Sequence, residues 1–540
     1  MHRALAILPF ALIPAALFAL FFHVAILDPS HIGWLIRGSD NGENALGLHA
    51  YLHDATAAWS LRTSLLNAPE GVPLLFTDSN PLIGLVTRPF SPLLPRDAQF
   101  VGPWFLLCLV LQAAFAAALL RRHAPDRLAL WAGTALLCLL PTLFNRIIHA
   151  NLFAHWLILA ALWLHLEPRQ GHARWWLPLL AVTALVHSYL LVMIGALWAC
   201  ATASRIAGTH GPPRRSAISG AAAALVLVAA LAWWLGAGGR YALAGNYGAF
   251  AMPLDALVNP GNPSFSTLLP ATLQREGRGF EGFQYLGAGL LALLLIAAVV
   301  AVVRPRPAAE RIMHRRLLWL VPAFAALTLL AISNYPDIAG HRLPRIALPA
   351  ILAPALDMVR ASGRLFWPVA YALVLLAVAA AYRLGRDRAG LVLMALIALQ
   401  IADLSGMATA LRTLTHGGDT TFVRTRDPRW GAALAHARDV AVLPAEPTHD
   451  LQLFQEVAWR ATSAAKPVRA VYAARTPRVT QVRAAADLAG FRAGRLRCGR
   501  LYLLLDAEPA PPGAAVTTLD GARIIWPRAC RRPSSPRSAS

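Results

Sequence analysis

The sequence predicts an α-helical multi-pass membrane protein carrying a small α/β domain outside the membrane at its C-terminal end. Of 540 residues, 57% are hydrophobic and 14% charged, too apolar for a chain that hides its core in one soluble globule. Apolar runs of about 17 to 25 residues, the length that crosses the hydrocarbon, recur as far as residue 405. At Gly406 the texture changes to short strand-like and helix-like patterns. The expected organisation is a membrane domain at 1–405 with its first outer loop at 28–98, an α/β domain at 406–532 and a disordered tail at 533–540.

Taken in order, the apolar runs cover 4–26, 100–120, 128–144 and 152–166, then 217–236, 285–303, 317–333, 365–382 and 389–405. The first begins Met1, His2, Arg3 and closes on Ile26, Leu27, Asp28 and Pro29, with no small-residue cleavage site, so it is read as a retained signal-anchor helix. The stretch 175–203 admits one long tilted helix or a hairpin of two short ones. His187, Ser188 and Tyr189 sit at its middle, where a sheltered turn suits polar groups better than a lipid-facing helix does.

A hairpin there places Arg121, Arg122 and Arg127, then Arg169 and Arg174, then Arg205, Arg214 and Arg215, on one side. Arg304, Arg306, Arg311, Arg315 and Arg316, then Arg383, Arg386 and Arg388, join them. With the N-terminus in the cytoplasm that is the positive-inside pattern, and it predicts about eleven crossings. The loops at 28–97, 237–284 and 334–364, and everything after Gly406, then face away from the cytoplasm. Much of the net charge of +22 belongs to the short cytoplasmic loops, so nucleic acid is excluded as a partner.

Cys108, Cys138 and Cys200 fall in apolar segments and read as buried thiols. Cys498 and Cys530 fall in the outer domain, an oxidising setting that suits a disulfide between them. Within that domain 440–443, 468–472, 501–505 and 523–526 read as strands, and 451–462 and 480–489 as helices. It has no glycine-rich phosphate loop and no compact acid/base set, so a docking or lid role is expected.

Seven of the 27 acids lie in 28–97, about twice an even share, so this loop is the first place to look for chemistry. Asp40 and Glu43 have the spacing of a helix capping box, and Asp40 is equally a candidate catalytic base. The helix they would open has an apolar stripe at Ala45, Leu48 and Leu52 and suits the membrane surface. His49 and His53 have the spacing of two metal ligands beside Asp54, but no third ligand follows, and a solvated face is the plainer reading. Asp78 could cap a helix opening at Pro81.

Arg146, His149 and His155 gather near the outer junction of two segments, with His155 either a site residue or a core histidine bonded to a backbone carbonyl. Glu281 enters a segment from outside and calls for a partner. Arg360 and Arg364 enter another, where they either clamp a phosphate or snorkel to headgroups.

The order of these parts resembles the GT-C superfamily of membrane glycosyltransferases, and more narrowly a bacterial family of GT-C-like multi-pass membrane proteins with no established activity. The likeness is carried by 39–49, by 77–95 with its Ser91, Pro92, Leu93, Leu94 and Pro95, and by 155–163, 281–287 and 360–368. It covers the membrane part, while the C-terminal domain matches weakly. The resemblance implies an acidic base or metal ligand in the first outer loop, which here falls on Asp40. Asn41, Gly42 and Glu43 follow it in place of the paired aspartates often found there, which leaves a divalent cation open.

The resemblance further implies sugar transfer from a polyprenyl-phosphate donor to an extracytoplasmic acceptor. Arginines such as Arg364 and Arg360 would hold the phosphate, and Glu43, Asp78, His155 and Glu281 would orient sugar or acceptor. Membrane lipids would surround the helices. The rivals are a transporter or flippase of lipid-linked glycans, for which internal repeats are wanting, and a non-catalytic scaffold for envelope assembly.

Overall fold

A computed structural model describes residues 2–167, 172–208, 214–238, 247–275, 277–418, 420–473 and 475–527. The chain is mostly helical with a small sheet near its C-terminus. Four helices are long and apolar enough to cross a membrane, namely Val101–Leu120, Ser188–Ile206, Arg214–Trp234 and Ser362–Leu384. The number rises to six if two bent pairs, Ala288–Val303 with Ala308–Leu318 and Arg386–Asp403 with Ser405–His416, each count as one span.

Other predicted runs form shorter helices, among them Arg127–Cys138, Trp176–Val186 and Val321–Ile332. Proline accounts for one such break: the run at 128–144 stops at Cys138 and resumes as a single turn at Pro141, which has no N–H to continue the ladder. The segment 175–203 does divide at His187. Its extended backbone separates Trp176–Val186 from Ser188–Ile206, and its Nδ1 accepts the Tyr189 N–H at 3.1 Å.

The chain separates into two compact units. The first comprises Met1–Asp28, Val101–Trp233 and Leu243–His416, and the second Pro29–Phe100, Trp234–Ala242 and Gly417–Ser540. This redraws the expected organisation, because the first outer loop folds with the C-terminal domain. Cys530 and the tail at 533–540 lie outside the described residues, as does Arg169.

In the first unit, helices run between two polar ends. At one end Arg122 meets Glu167 at 2.7 Å, Arg383 Nε meets Glu310 at 2.7 Å, Arg316 donates to the Leu166 carbonyl and Arg386 to the Pro125 carbonyl. These bonds gather arginine-bearing loops that the charge pattern assigned to one side. Cys108, Cys138 and Cys200 are free thiols, the first two buried.

The second unit is built on a four-stranded sheet. Asp439–Leu443 runs parallel to Arg500–Leu504, which pairs antiparallel with Ala522–Ile525, and Val516–Leu519 closes the edge. Leu451–Ser463 and Arg478–Arg492 are the expected helices. The expected strand at 468–472 is reduced to one bridge at Val468, because its backbone turns to the first loop: Val468 N–H donates to Leu65 and Ala68 N–H to Val468. Cys498 is disulfide-bonded.

The helix Asp40–His53 is not a surface helix. Every residue from Asn41 to Tyr51 is buried. Two glycines permit this: a Cβ on Gly42 would overlap the Gln455 side chain, and one on Gly47 would overlap the Thr77 and Ser79 hydroxyls. Gln455 fastens the helix start, accepting from Gly38 N–H at 2.9 Å and donating to the Ser39 carbonyl at 2.8 Å. Farther along, the His49 ring stacks on Trp459 with centroids 4.0 Å apart.

Candidate functional site

Most of the sequence-predicted residues fall into two clusters, one in each unit. In the second unit the cluster is acidic. Asp40 is the first residue of its helix and Ser39 occupies the cap position, so the capping box is not formed. Ser39 Oγ donates back to the Leu35 carbonyl, and both oxygens of Glu43 are buried without a hydrogen-bond partner. Glu43 is 2% exposed. Its carboxyl titrates well above the usual glutamate range, first because burial penalises the charge and then because Asp78 and Asp40 lie near.

Asp78 does not cap the helix at Pro81 either. Asn80 caps Pro81–Thr87, its Oδ1 accepting from Leu82 N–H at 3.1 Å and Ile83 N–H at 3.3 Å. Asp78 instead sits in the left-handed region at φ 53°. Its turn is held against the helix by Asn44, whose amide donates to the Asp78 carbonyl, and by Ser79, whose hydroxyl donates to the Asn44 carbonyl at 2.7 Å. Tyr472 completes the cluster. Its phenol is hydrogen-bonded to Asp40, and its pKa is raised by burial and then by Asp40, Asp78 and Glu43. Sequence reasoning missed Tyr472, which carries no local signal: its partner lies over 400 residues away.

The histidine pair nearby serves packing. His49 Nε2 bonds Ser463 Oγ at 2.9 Å, and His53 Nδ1 bonds the His49 carbonyl at 3.0 Å. Asp54 accepts from Thr56, Thr63 and Ser64; burial alone would raise its pKa, but these bonds outweigh it and hold the carboxyl below the usual range. Among the described residues no three His, Cys, Asp or Glu side chains group so as to hold a metal.

In the first unit the cluster centres on Glu281, at the end of the one-turn helix Arg278–Glu281. Arg146 Nη1 donates to Glu281 Oε2 at 2.7 Å, Arg364 Nε to the same oxygen at 2.6 Å, and Arg364 Nη2 to Oε1. His149 Nε2 lies 3.3 Å from Oε1. Burial would raise the Glu281 pKa, but Arg364 and Arg146 outweigh it and keep the carboxylate ionised. Arg146 is itself buried, its guanidinium 4.3 Å from the Phe280 ring centroid.

His155 belongs to the same unit but not to the ion pairs. Its Nδ1 shares a 2.9 Å hydrogen bond with the Tyr371 hydroxyl, which also accepts from Gln112 Nε2. Its partner is thus a side chain, not the backbone carbonyl of the plainer reading. Arg364 is likewise no free phosphate clamp, since two of its nitrogens grip Glu281. Arg360 stays apart, exposed with its guanidinium 5.2 Å from the Phe250 ring centroid.

No match is found among curated proteins. Residues 429–527 match the family described as DUF6311 C-terminal domain. Residues 11–405 match the one described as Domain of unknown function (DUF6311), and the chain therefore belongs to the DUF6311 family.

Proposed function

We propose that this protein is a GT-C-type membrane glycosyltransferase that moves a sugar from a polyprenyl-phosphate donor to an extracytoplasmic acceptor of the cell envelope. It would sit in a bacterial inner membrane with a cytoplasmic N-terminus and about eleven crossings, some made by short or broken helices. The observation that carries the reading is the acidic cluster. Half-buried Asp40, hydrogen-bonded to Tyr472, stands near a Glu43 whose environment holds its proton. A buried acid that keeps its proton beside a second, partly accessible carboxyl is an arrangement suited to acid–base chemistry.

Asp40 is the general base, taking the proton of the acceptor hydroxyl as it attacks the anomeric carbon and the lipid phosphate departs. Glu43 and Asp78 orient the acceptor or the sugar. In the first unit Arg146 and Arg364 share the Glu281 carboxylate, which leaves that cluster with a net positive charge. Each role rests on geometry within its own unit.

The test is a comparison of envelope glycans in cells with the wild-type protein, with none, and with Asp40→Asn. The variant should reach the membrane at wild-type level yet transfer sugar about a hundredfold more slowly, the scale of a lost general base. Wild-type turnover would remove Asp40 from the chemistry and turn attention to Asp78 and Glu281.

A further inference from the structure

The C-terminal sheet carries a cavity that shares no lining residue with the acidic cluster. Arg500 and Tyr502 project from alternate positions of one strand, and Ala441 and Leu443 from its parallel neighbour, with Ala441 opposite Tyr502. All four line one cavity of about 350 Å³, roofed by Asp487 and Gly490 of the Arg478–Arg492 helix and rimmed by the loop carrying Arg495 and Arg497. That volume lies near the lower end of small-molecule sites, roughly 300 to 1,000 Å³.

The charges are unequal. Arg500 is spent on Asp439, with two bonds of 2.7 Å. Asp487 is likewise matched, by Arg469 at 2.7 Å and Arg483 at 3.1 Å. Both acids are therefore neutralised. Arg495 and Arg497 are exposed at the rim and form no ion pair among the described residues, and Asp487, which lines the same cavity, is taken up by Arg469 and Arg483. The loop is held in place: Arg495 N–H donates to the Gly490 carbonyl at 2.9 Å, and Arg497 N–H to the Tyr502 hydroxyl at 2.8 Å. Disulfide-bonded Cys498 follows directly.

We propose that this cavity binds a small ligand the size of one saccharide ring that carries a carboxylate or phosphate. The anion meets Arg495 and Arg497 at the rim, and the ring rests on Ala441, Leu443 and Tyr502. A planar guanidinium can take either oxyanion through paired bonds. The apolar floor gives a neutral sugar little to hold beyond contact area.

Calorimetric titration of the full-length protein in nanodiscs with glucuronate, inorganic phosphate and glucose tests this. Wild type should bind at least one anion and prefer it to glucose. Arg495→Gln combined with Arg497→Gln should weaken that binding about tenfold or more, the effect of one lost charge-assisted bond. Arg478→Gln, an exposed arginine at the other end of the helix, should leave it unchanged. Tighter glucuronate identifies a sugar acid and tighter phosphate a phosphate-bearing group. No heat with either anion up to about 10 mM, glucose bound as well as the anions, or equal weakening by Arg478→Gln would overturn the proposal. The unfolding temperature of the double variant, expected to match wild type because both side chains are exposed, keeps a folding defect from passing as lost binding.

Discussion

Glu43 is the residue most at odds with its surroundings, a buried carboxyl with no hydrogen-bond partner beside Asp40 and Asp78. Its raised pKa has a definite linkage sign. The folded chain keeps a proton that the unfolded chain releases near the ordinary glutamate value. Stability contributed by neutral Glu43 is thus full below that value and is lost as pH rises toward the raised one. Glu43→Gln, which cannot ionise, should flatten this decline and leave the variant at least as stable as wild type in alkaline buffer. Thermal unfolding of both proteins across a pH series checks it, and parallel curves would show that Glu43 is not the group responsible. Asp40→Asn is a mild companion, because Ser39 rather than Asp40 holds the cap position and an asparagine oxygen can still accept from Tyr472, so the fold loses a modest helix-dipole term and the charge on one hydrogen bond.

Among the elements, the Asp40–His53 helix shows how packing can override a pattern. The stripe of Ala45, Leu48 and Leu52 suggested a surface helix, yet Gly42 and Gly47 let Gln455 approach at one point and the Thr77–Asn80 turn at another. Gly47→Ala should therefore destabilise the protein by about 1–3 kcal/mol, the cost of overpacking, although alanine is the better helix former. Gly195→Ala is the control, since it sits in a helix with nothing near its Cβ and should be neutral or slightly stabilising. Equal unfolding temperatures for the two variants would mean that the close approach at Gly47 relaxes freely. The His187 break was legible because a polar triplet interrupts an apolar run, whereas the reassigned caps at Ser39 and Asn80 were not, since several neighbouring residues share the same capping chemistry.

For the whole molecule, the first loop and the C-terminal domain form one unit joined by bonds such as Arg483 to Glu70 at 2.8 Å. Under the proposed topology, cysteines introduced at the exposed Ala55 of the first loop, at Gly261 and at Thr448 should label from outside and one at Ala308 only after permeabilisation. External labelling at Ala308 together with Ala55 would break the parity. Non-reducing peptide mass spectrometry should find Cys498 joined to Cys530, and Cys498→Ser should lower stability by roughly 2–4 kcal/mol. An intact free thiol at Cys530 in protein from its native membrane would refute that pairing.

The sequence by itself determined what depends on composition and local period: a largely apolar helical body, clusters of arginine between its apolar runs, and a small sheet beyond the last of them. It also marked Asp40, Glu43 and Asp78 as helix caps or site acids, and Glu281 as a carboxylate in need of a partner. Only the tertiary structure decided their partners. Tyr472 reaches Asp40, Arg146 and Arg364 reach Glu281, and the first loop joins the C-terminal domain, all across separations that no local pattern encodes. The physical reason is that a buried charge or hydroxyl must be satisfied by whatever group the packing of distant helices brings within about 3 Å, and that packing is a property of the whole chain.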